Sequence, residues 1–295
     1  MIDLTTLIVM ILSAATPILF AALGELIVER AGVLNLGVEG MMITGALAGF
    51  AAAHATGSPA MGFAAAAVAG AALSMIFGFL TQFLLTNQVA TGLALTLFGL
   101  GLTALFGKPY EGVKAPSMGA GILGLNWVVW LGLAMVPVLW WFLNRTRGGL
   151  ILRGIGENHH AAHALGHKVR AVRLLAIAFG GAMAGIGGAY ISIATVLQWT
   201  EGMTAGAGWI ALAIVVFAQW NPWGVLAGAW LFGGVTVLQL RLQAAGVAVP
   251  VQLLSMAPYL ATILVLVLIS ARQKFGRSAG GAAPGSLGRP FHALR

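Results

Sequence analysis

Long apolar runs separated by short polar segments make up most of this sequence. Most of the runs hold about 17–25 residues, the length of a helix that crosses the hydrocarbon core of a bilayer. The pattern predicts an all-α, polytopic membrane bundle of about nine spans, with eight or ten as alternatives. The predicted spans are 4–23, 33–54, 59–86, 89–106, 123–143, 174–197, 209–220, 224–240 and 251–271.

Three of the polar breaks hold Gly beside Asn, Gln or Thr: VLNLGVEG at 33–40, TNQVATG at 86–92 and TEGMTAGAGW at 200–209. Non-helical backbone at membrane depth is tolerated only where it is buried in protein or lines a cavity. We therefore expect broken or re-entrant segments, which either line a central translocation pathway or are simple turns. The candidate pathway residues are Asn35, Glu39, Asn87, Gln88, Thr91 and Trp209.

Two of these candidates suggest specific chemistry. Trp209 offers a stacking surface for a ring-shaped ligand. Glu39 lies within an apolar run, where ionisable groups are costly and usually mark function. It either lines a substrate path with Asn35, or pairs with Arg30, or caps a half-helix close to the cytoplasmic face. The sequence leaves these interpretations open.

The longest polar interruption runs from 145 to 173 and holds six of the fifteen Lys and Arg residues. Within it, ENHHAAHALG predicts a short helix, because Asn158 can cap the first N–H groups and Gly166 can adopt the left-handed conformation that ends a helix. Such a capped helix between two spans is a candidate docking knob for a soluble partner.

His159, His163 and His167 are spaced i, i+4, i+8, so on a continuous helix they would share a face. Three imidazoles could bind zinc. However, Gly166 should end the helix before His167, and neither a carboxylate nor a cysteine joins the set. We therefore expect a solvated or partner-facing surface and no metal site.

The composition excludes a water-soluble protein. Only 7% of the 295 residues are charged and 60% are hydrophobic, whereas a soluble domain carries about a quarter charged residues. The 42 glycines are spread through the apolar runs, where small residues let helix backbones approach closely. GGAMAGIGGA at 180–189 and GAWLFGG at 228–234 are therefore predicted helix-packing faces. Cysteine is absent.

The net charge of +8 is concentrated in two places, the polar stretch and the C-terminal tail, which together hold eleven of the fifteen basic residues. The positive-inside rule explains this better than nucleic-acid binding. Four predicted spans separate the two clusters, so both can be cytoplasmic, and the N-terminus then lies outside. We expect a membrane domain over 1–271, with a cytoplasmic loop at 144–173, and a basic, disordered cytoplasmic tail over 272–295.

The sequence lacks the motifs of an enzyme. It has no GxxxxGK[ST] nucleotide-binding loop and no HExxH, and no Ser/His/Asp set can be placed within a span. Paired carboxylates at membrane depth are also missing from the predicted spans, so Glu39 is the obvious candidate for a coupling acid. The energy for transport is thus expected to come from outside this chain, with an ion-coupled secondary transporter using Glu39 as the alternative.

Three stretches carry a family resemblance. PILFAALGELIVERAGVLNLGVEGMMITGA at 17–46 resembles the N-terminal signature of bacterial ABC-transporter permeases of the branched-chain amino acid, simple-sugar and nucleoside class, and within it the nucleoside/simple-sugar branch. TNQVATGLALTLFGLGL at 86–102 is similar to the next motif of that branch. RGIGENHHAAHALGHKVRAVRLLAIAFGGAMAGIGGAY at 153–190 resembles the cytoplasmic coupling loop and the helix after it.

This resemblance implies a multi-pass permease of the bacterial inner membrane that imports nucleosides or related simple sugars. It implies three partners, namely a second permease in a heterodimer, an ABC ATPase that binds ATP and Mg²⁺, and an extracytoplasmic substrate-binding protein. No cofactor is expected on this chain. His159 stands where these permeases often have proline, but Asn158 can still cap the helix, so we expect the coupling helix to form. The residues implied for that helix are Gly156, Glu157, Asn158, Ala161, Ala162 and Gly166.

Overall fold

A computed structural model describes residues 4–119, 121–246 and 283–292, together with isolated residues between 256 and 267. Within these residues the chain is helical, and its only β pairing consists of isolated bridges. The ninth predicted span, 251–271, lies outside the continuously described residues. The helices are α1 (Leu4–Arg30), α2 (Val38–Thr56), α3 (Pro59–Gln82), α4 (Gln88–Gly107), α5 (Trp127–Arg145), α6 (Arg147–Glu157), α7 (His159–Ala164), α8 (Val169–Ala189), α9 (Ala207–Phe217) and α10 (Pro222–Ala244).

The all-α membrane architecture predicted from the apolar runs is confirmed for the described residues. Six helical segments there are long and apolar enough to cross a membrane: α1, α3, α4, α5, α8 and α10. The predicted second and seventh spans correspond to α2, which is buried over most of its length, and to α9, which has 11 residues. The described residues therefore support six spans, and the count of about nine stays a prediction.

Helix α8 lies at the centre and packs against α1, α2 and α3. Its glycines allow this, because a Cβ on Gly185 would overlap the backbone of Ala66, and a Cβ on Gly181 would overlap the backbone of Gly70. The prediction that 180–189 is a packing face is confirmed. The second predicted face also packs, since Gly228 lies against α9 and Gly233 against α1.

Two non-helical segments interrupt this bundle. The first break, residues 31–37, separates α1 from α2, and the second break, residues 196–206, precedes α9. The expected interruptions at 33–40 and 200–209 are thus present in the backbone. Of the third, at 86–92, only residues 86 and 87 are non-helical; they end the short turn between α3 and α4, and residues 88–92 already belong to α4.

Polar residues at the end of α1 depart from expectation. The first span was predicted over 4–23, and the helix continues beyond it through Glu25 and Glu29 to Arg30. Glu25 and Glu29 are each only 1% exposed. The helix continues because neighbouring elements supply partners for both carboxylates, as described below.

The tail contains an ordered segment. We expected disorder from residue 272 onward, yet residues 283–292, called the tail segment below, pack against α6, α7 and α8. Pro284, Ser286 and Phe291 in it are buried. The remainder of the tail lies outside the described residues.

Candidate functional site

Glu39 lies in the first turn of α2 and is 3% exposed, yet its carboxylate is fully partnered. Its Oε1 accepts hydrogen bonds from the Thr204 hydroxyl at 2.5 Å and from the Gly206 backbone N–H at 2.9 Å. Its Oε2 accepts one from the Gly208 N–H at 2.7 Å. The first N–H groups of a helix lack partners within it, so Glu39 caps α9 from a distant part of the chain.

This geometry distinguishes between the interpretations of Glu39. The carboxylate caps the start of the short helix α9, which agrees with the interpretation of Glu39 as a half-helix cap. Arg30 does not hold it, because that guanidinium donates from Nε and Nη2 to the Trp220 carbonyl oxygen at 3.2 and 3.1 Å. Gly208 is required at this contact, since a Cβ there would lie 2.5 Å from the backbone nitrogen of Glu39.

Two further buried carboxyl groups, those of Glu25 and Glu29, hold the breaks. Glu25 Oε1 accepts from the Asn35 N–H at 3.2 Å, which ties the first break to α1. Glu29 Oε2 accepts from the indole N–H of Trp220 at 2.5 Å, which ties the turn after α9 to α1. A buried polar group is tolerated only with such partners. The sequence signal was the i, i+4 spacing of two acids directly after an apolar run.

Asn35 and Gln88 shape the first break from within. Asn35, which is 0% exposed, accepts from the Gly37 N–H at 2.9 Å, and Gln88 Oε1 accepts from the Leu34 N–H at 2.8 Å. Gln88 Nε2 is buried and has no hydrogen-bond partner among the described residues. The structure therefore brings Asn35 and Gln88 to one break, with one amide donor still free.

The other pathway candidates have different surroundings. Asn87 is exposed and caps α4 by accepting from the Ala90 N–H at 3.0 Å. The Thr91 hydroxyl donates to the Asn87 carbonyl at 2.7 Å. Trp209 follows Gly208 directly and is 48% exposed, so about half of its surface is accessible beside the Glu39 cap. A transport role for these residues remains a prediction.

The short helix in the polar stretch forms as its caps predict. Asn158 Oδ1 accepts from the Ala161 N–H at 3.0 Å, which confirms the N-cap. Gly166 has φ +87°, the His167 N–H donates to the Ala162 carbonyl at 3.1 Å, and the Gly166 N–H donates to the His163 carbonyl at 2.9 Å. This is a Schellman end, so α7 stops before His167, as predicted.

The residues implied for the coupling helix fall into two groups. Gly156 and Ala162 are buried. Gly156 packs so closely against the end of α1 that a Cβ there would overlap the carbonyl of Arg30. The other four are exposed, and beside them Leu165 is 79% exposed. Leu165 was missed by the sequence reasoning, although it is the one large aliphatic residue in ENHHAAHALG. The exposed members are Glu157, Asn158, Ala161 and Gly166.

The histidines of α7 pack against the tail. His159 is 4% exposed, and its ring centroid lies 5.4 Å from that of Phe291, while His163 lies 5.3 Å from it. Burial, reinforced by the nearby guanidinium of Arg173, lowers the pKa of His159 to about 4. His159 is therefore neutral at pH 7. Since a guanidinium only donates, Nδ1 accepts from Arg173 at 3.0 Å and the proton is on Nε2.

Arg173 connects three separate parts of the chain. It was predicted on a polar stretch, but it is 0% exposed. Its Nε donates to the Ala31 carbonyl at 3.1 Å, its Nη1 to the Arg289 carbonyl at 3.2 Å, and its Nη2 to His159. One buried cation thus joins the first break, α7 and the tail segment.

This chain is similar to known proteins over most of its length. The family described as "Branched-chain amino acid transport system / permease component" matches residues 7–272. A putative glucose ABC transporter permease protein, TsgC13 of Haloferax volcanii, is 43% identical over 289 residues, covering 86% of this chain and 88% of that protein.

Two bacterial proteins are also similar. The guanosine ABC transporter permease protein NupQ of Bacillus subtilis is 31% identical over 280 residues, covering 85% of this chain and 88% of that protein. The nucleoside ABC transporter permease protein NupC of Lactococcus lactis is 30% identical over 282 residues, covering 86% and 89%.

Proposed function

This chain belongs to the permease components of the branched-chain amino acid transport system family, and we propose that it imports nucleosides or related simple sugars. It is a transmembrane permease subunit of an ABC transporter and is not itself an enzyme. The substrate class is supported by the relatives, whose names include glucose, guanosine and nucleoside transport.

The coupling helix carries the proposed mechanism. Helix α7 is capped at both ends, and it presents Ala161 and Leu165 outward on a loop rich in Lys and Arg. An apolar tip on a short, rigid helix suits insertion into a groove of a soluble subunit. Since the sequence contains no nucleotide-binding loop, ATP and Mg²⁺ bind to that ATPase, and α7 transmits its closure to the spans.

Two further partners complete the transporter. A second permease subunit forms a heterodimer with this chain, and an extracytoplasmic substrate-binding protein delivers the ligand. The N-terminus lies outside and the C-terminus in the cytoplasm of a bacterial cell. This orientation is supported by the contact between the tail segment and α6–α7, which brings both basic regions to one end of the bundle.

The substrate route passes the two breaks. Trp209, which is half exposed, offers a surface for stacking on a base or sugar, and Gln88 Nε2 is a buried donor without a partner that a hydroxyl or carbonyl could satisfy once the first break opens. Asn87 and Thr91 lie beside this route at the start of α4, and the buried Asn35 and Glu39 shape it by fixing the first break and α9. Because Glu39 is shared by α2 and α9, these two helices move together when the bundle rocks.

An ion-coupled secondary transporter using Glu39 is not favoured. Both carboxylate oxygens are engaged by three donors, two of them backbone N–H groups at the start of α9. A coupling acid must exchange its ion in each cycle, and doing so here would release a helix.

The decisive experiment reconstitutes the complete complex, with its ATPase and binding protein, in proteoliposomes. We expect uptake of labelled guanosine, adenosine or glucose that requires ATP and is abolished by an inactive ATPase variant. A proton ionophore should leave the uptake unchanged. Uptake that continues without ATP and collapses with the ionophore would overturn the assignment.

A further inference from the structure

We propose that the tail segment, residues 283–292, is a clamp that fixes the angle between α6 and α7 and is required for coupling ATP hydrolysis to transport. The proposal rests on the function proposed above, because it assigns a positioning role to a second part of the same docking site. The tail segment lies beyond the residues that match the family, which end at 272.

Ser286 sits at the junction of the two helices. Its N–H donates to the Gly156 carbonyl at 2.8 Å, and its hydroxyl donates to the Glu157 carbonyl at 3.3 Å. The same hydroxyl oxygen accepts from the His159 N–H at 3.2 Å. The last carbonyls of α6 and the first N–H of α7 have no partners within their own helices, so Ser286 caps both helices at once.

His159 makes this clamp possible in two ways. A proline, which has no N–H, could not donate to Ser286. The His159 ring fills the space between Arg173 and Phe291, and Phe291, 3% exposed, packs with Ile155, Ala162 and Val169. The tail segment therefore occupies the inner side of α7 through both its backbone and its aromatic ring.

The clamp also contacts the first break. Arg173 joins the Arg289 carbonyl to the Ala31 carbonyl, and a Cβ on Gly32 would lie 2.9 Å from Arg173 Nη2 and 3.3 Å from Ser286 Cβ. A displacement of α7 is thereby passed to the residues that lead into Asn35. Without the tail segment, α7 would keep its own caps but lose this rigid connection.

The outer side of α7 stays free. Ala161 and Leu165 are exposed with the tail segment in place, so the clamp supports the docking surface without covering it. This favours a positioning role over an autoinhibitory one. Removal of the clamp should therefore lower the uptake per ATP hydrolysed while the ATPase still binds.

The test measures ATP hydrolysis and uptake in proteoliposomes holding the full complex. Two variants remove the clamp: truncation after Ala282 and Phe291→Ala. We expect uptake per ATP to fall about tenfold in both, within the range of 5- to 150-fold that is typical for coupling between sites. Arg289→Ala is the matched control, because that residue contributes its carbonyl while its side chain is exposed, and it should couple normally.

The outcomes separate this proposal from the function on which it rests. If the unmodified complex fails to couple ATP hydrolysis to uptake, the proposed function is wrong. If it couples and both clamp variants couple equally well, the clamp proposal is wrong and the function stands. Should the truncated chain not reach the membrane, Phe291→Ala decides, with ATPase co-purification as the check on assembly.

Discussion

Helices α7 and α9 are both short, and both begin after an interruption where a side chain caps their first N–H groups, but the caps come from different places. Asn158 caps α7 from the position directly before it, and Ser286 of the tail segment adds a second cap at the His159 N–H. Glu39 caps α9 from 167 and 169 residues away in sequence. Helix α7 therefore has one cap of its own, which does not depend on the tail segment, whereas α9 depends on a different helix for its cap. The first helix is suited to transmitting motion and the second to being held.

The two capping side chains also differ in burial. The Glu39 carboxylate is buried and satisfies three donors, so losing it leaves buried polar groups without partners. Asn158 is exposed, and water can replace its contact. Changes at α9 should therefore affect assembly, while changes on the outer side of α7 should affect coupling.

The largest expected effect comes from Glu39→Gln. The amide places an N–H₂ group against at least one of the N–H or O–H donors, which should cost about 1–3 kcal/mol in the free energy of unfolding. Thermal unfolding of the detergent-purified chain should show a lower melting temperature and less monodisperse protein.

The exposed Glu201, near the same break, provides the control for this change. Glu201→Gln should leave stability unchanged. If Glu39→Gln instead kept full stability and lost only uptake, Glu39 would belong to the substrate route and the comparison with α7 would fail.

The next prediction is that substitutions at two adjacent alanines of α7 have different consequences. Ala161 is exposed and Ala162 is 6% exposed. Ala161→Arg should leave the chain in the membrane but lower ATP-driven uptake about tenfold, as expected when the coupling between two sites is lost. Ala162→Arg buries a charge against Phe291 and should lower the amount of folded protein. Equal behaviour of the two variants would contradict the docking role of the exposed face.

The smallest effect is a pH dependence of tail docking. The pKa of His159 is lowered from 6.5 to about 4 by burial and by the charges of Arg173, His160, Arg289 and His292. The undocked state therefore binds a proton that the docked state excludes, so docking is strongest above pH 6.5 and weakens as the pH falls toward 4.

A dye on a single cysteine can report this change, because the chain has no cysteine of its own. With Ala283→Cys labelled, the signal should change between pH 6.5 and 4. His159→Gln cannot titrate but keeps an acceptor for Arg173, so the same signal should then be flat. A pH response that persists in this variant would exclude His159 as its source.

Local features were predicted well from the sequence. The limits of α3, α4 and α10 follow the apolar runs closely, and α7 begins and ends at the residues whose caps were recognised. Each of these depends on a few neighbouring residues. Errors arose where a polar residue found a distant partner, as at Glu29 and Arg173. Such residues look like helix ends or surface positions when only their neighbours are considered.

The sequence by itself determined an apolar, all-α membrane protein with a capped helix on its longest basic loop. These properties come from hydropathy and capping, which act over at most about 20 residues. Only the tertiary structure decided that Glu39 holds α9, that Arg173 is buried, and that the tail segment clamps α7. Each of these joins residues more than a hundred positions apart or buries a charge, and a buried charge is stable only where the whole fold supplies its partners.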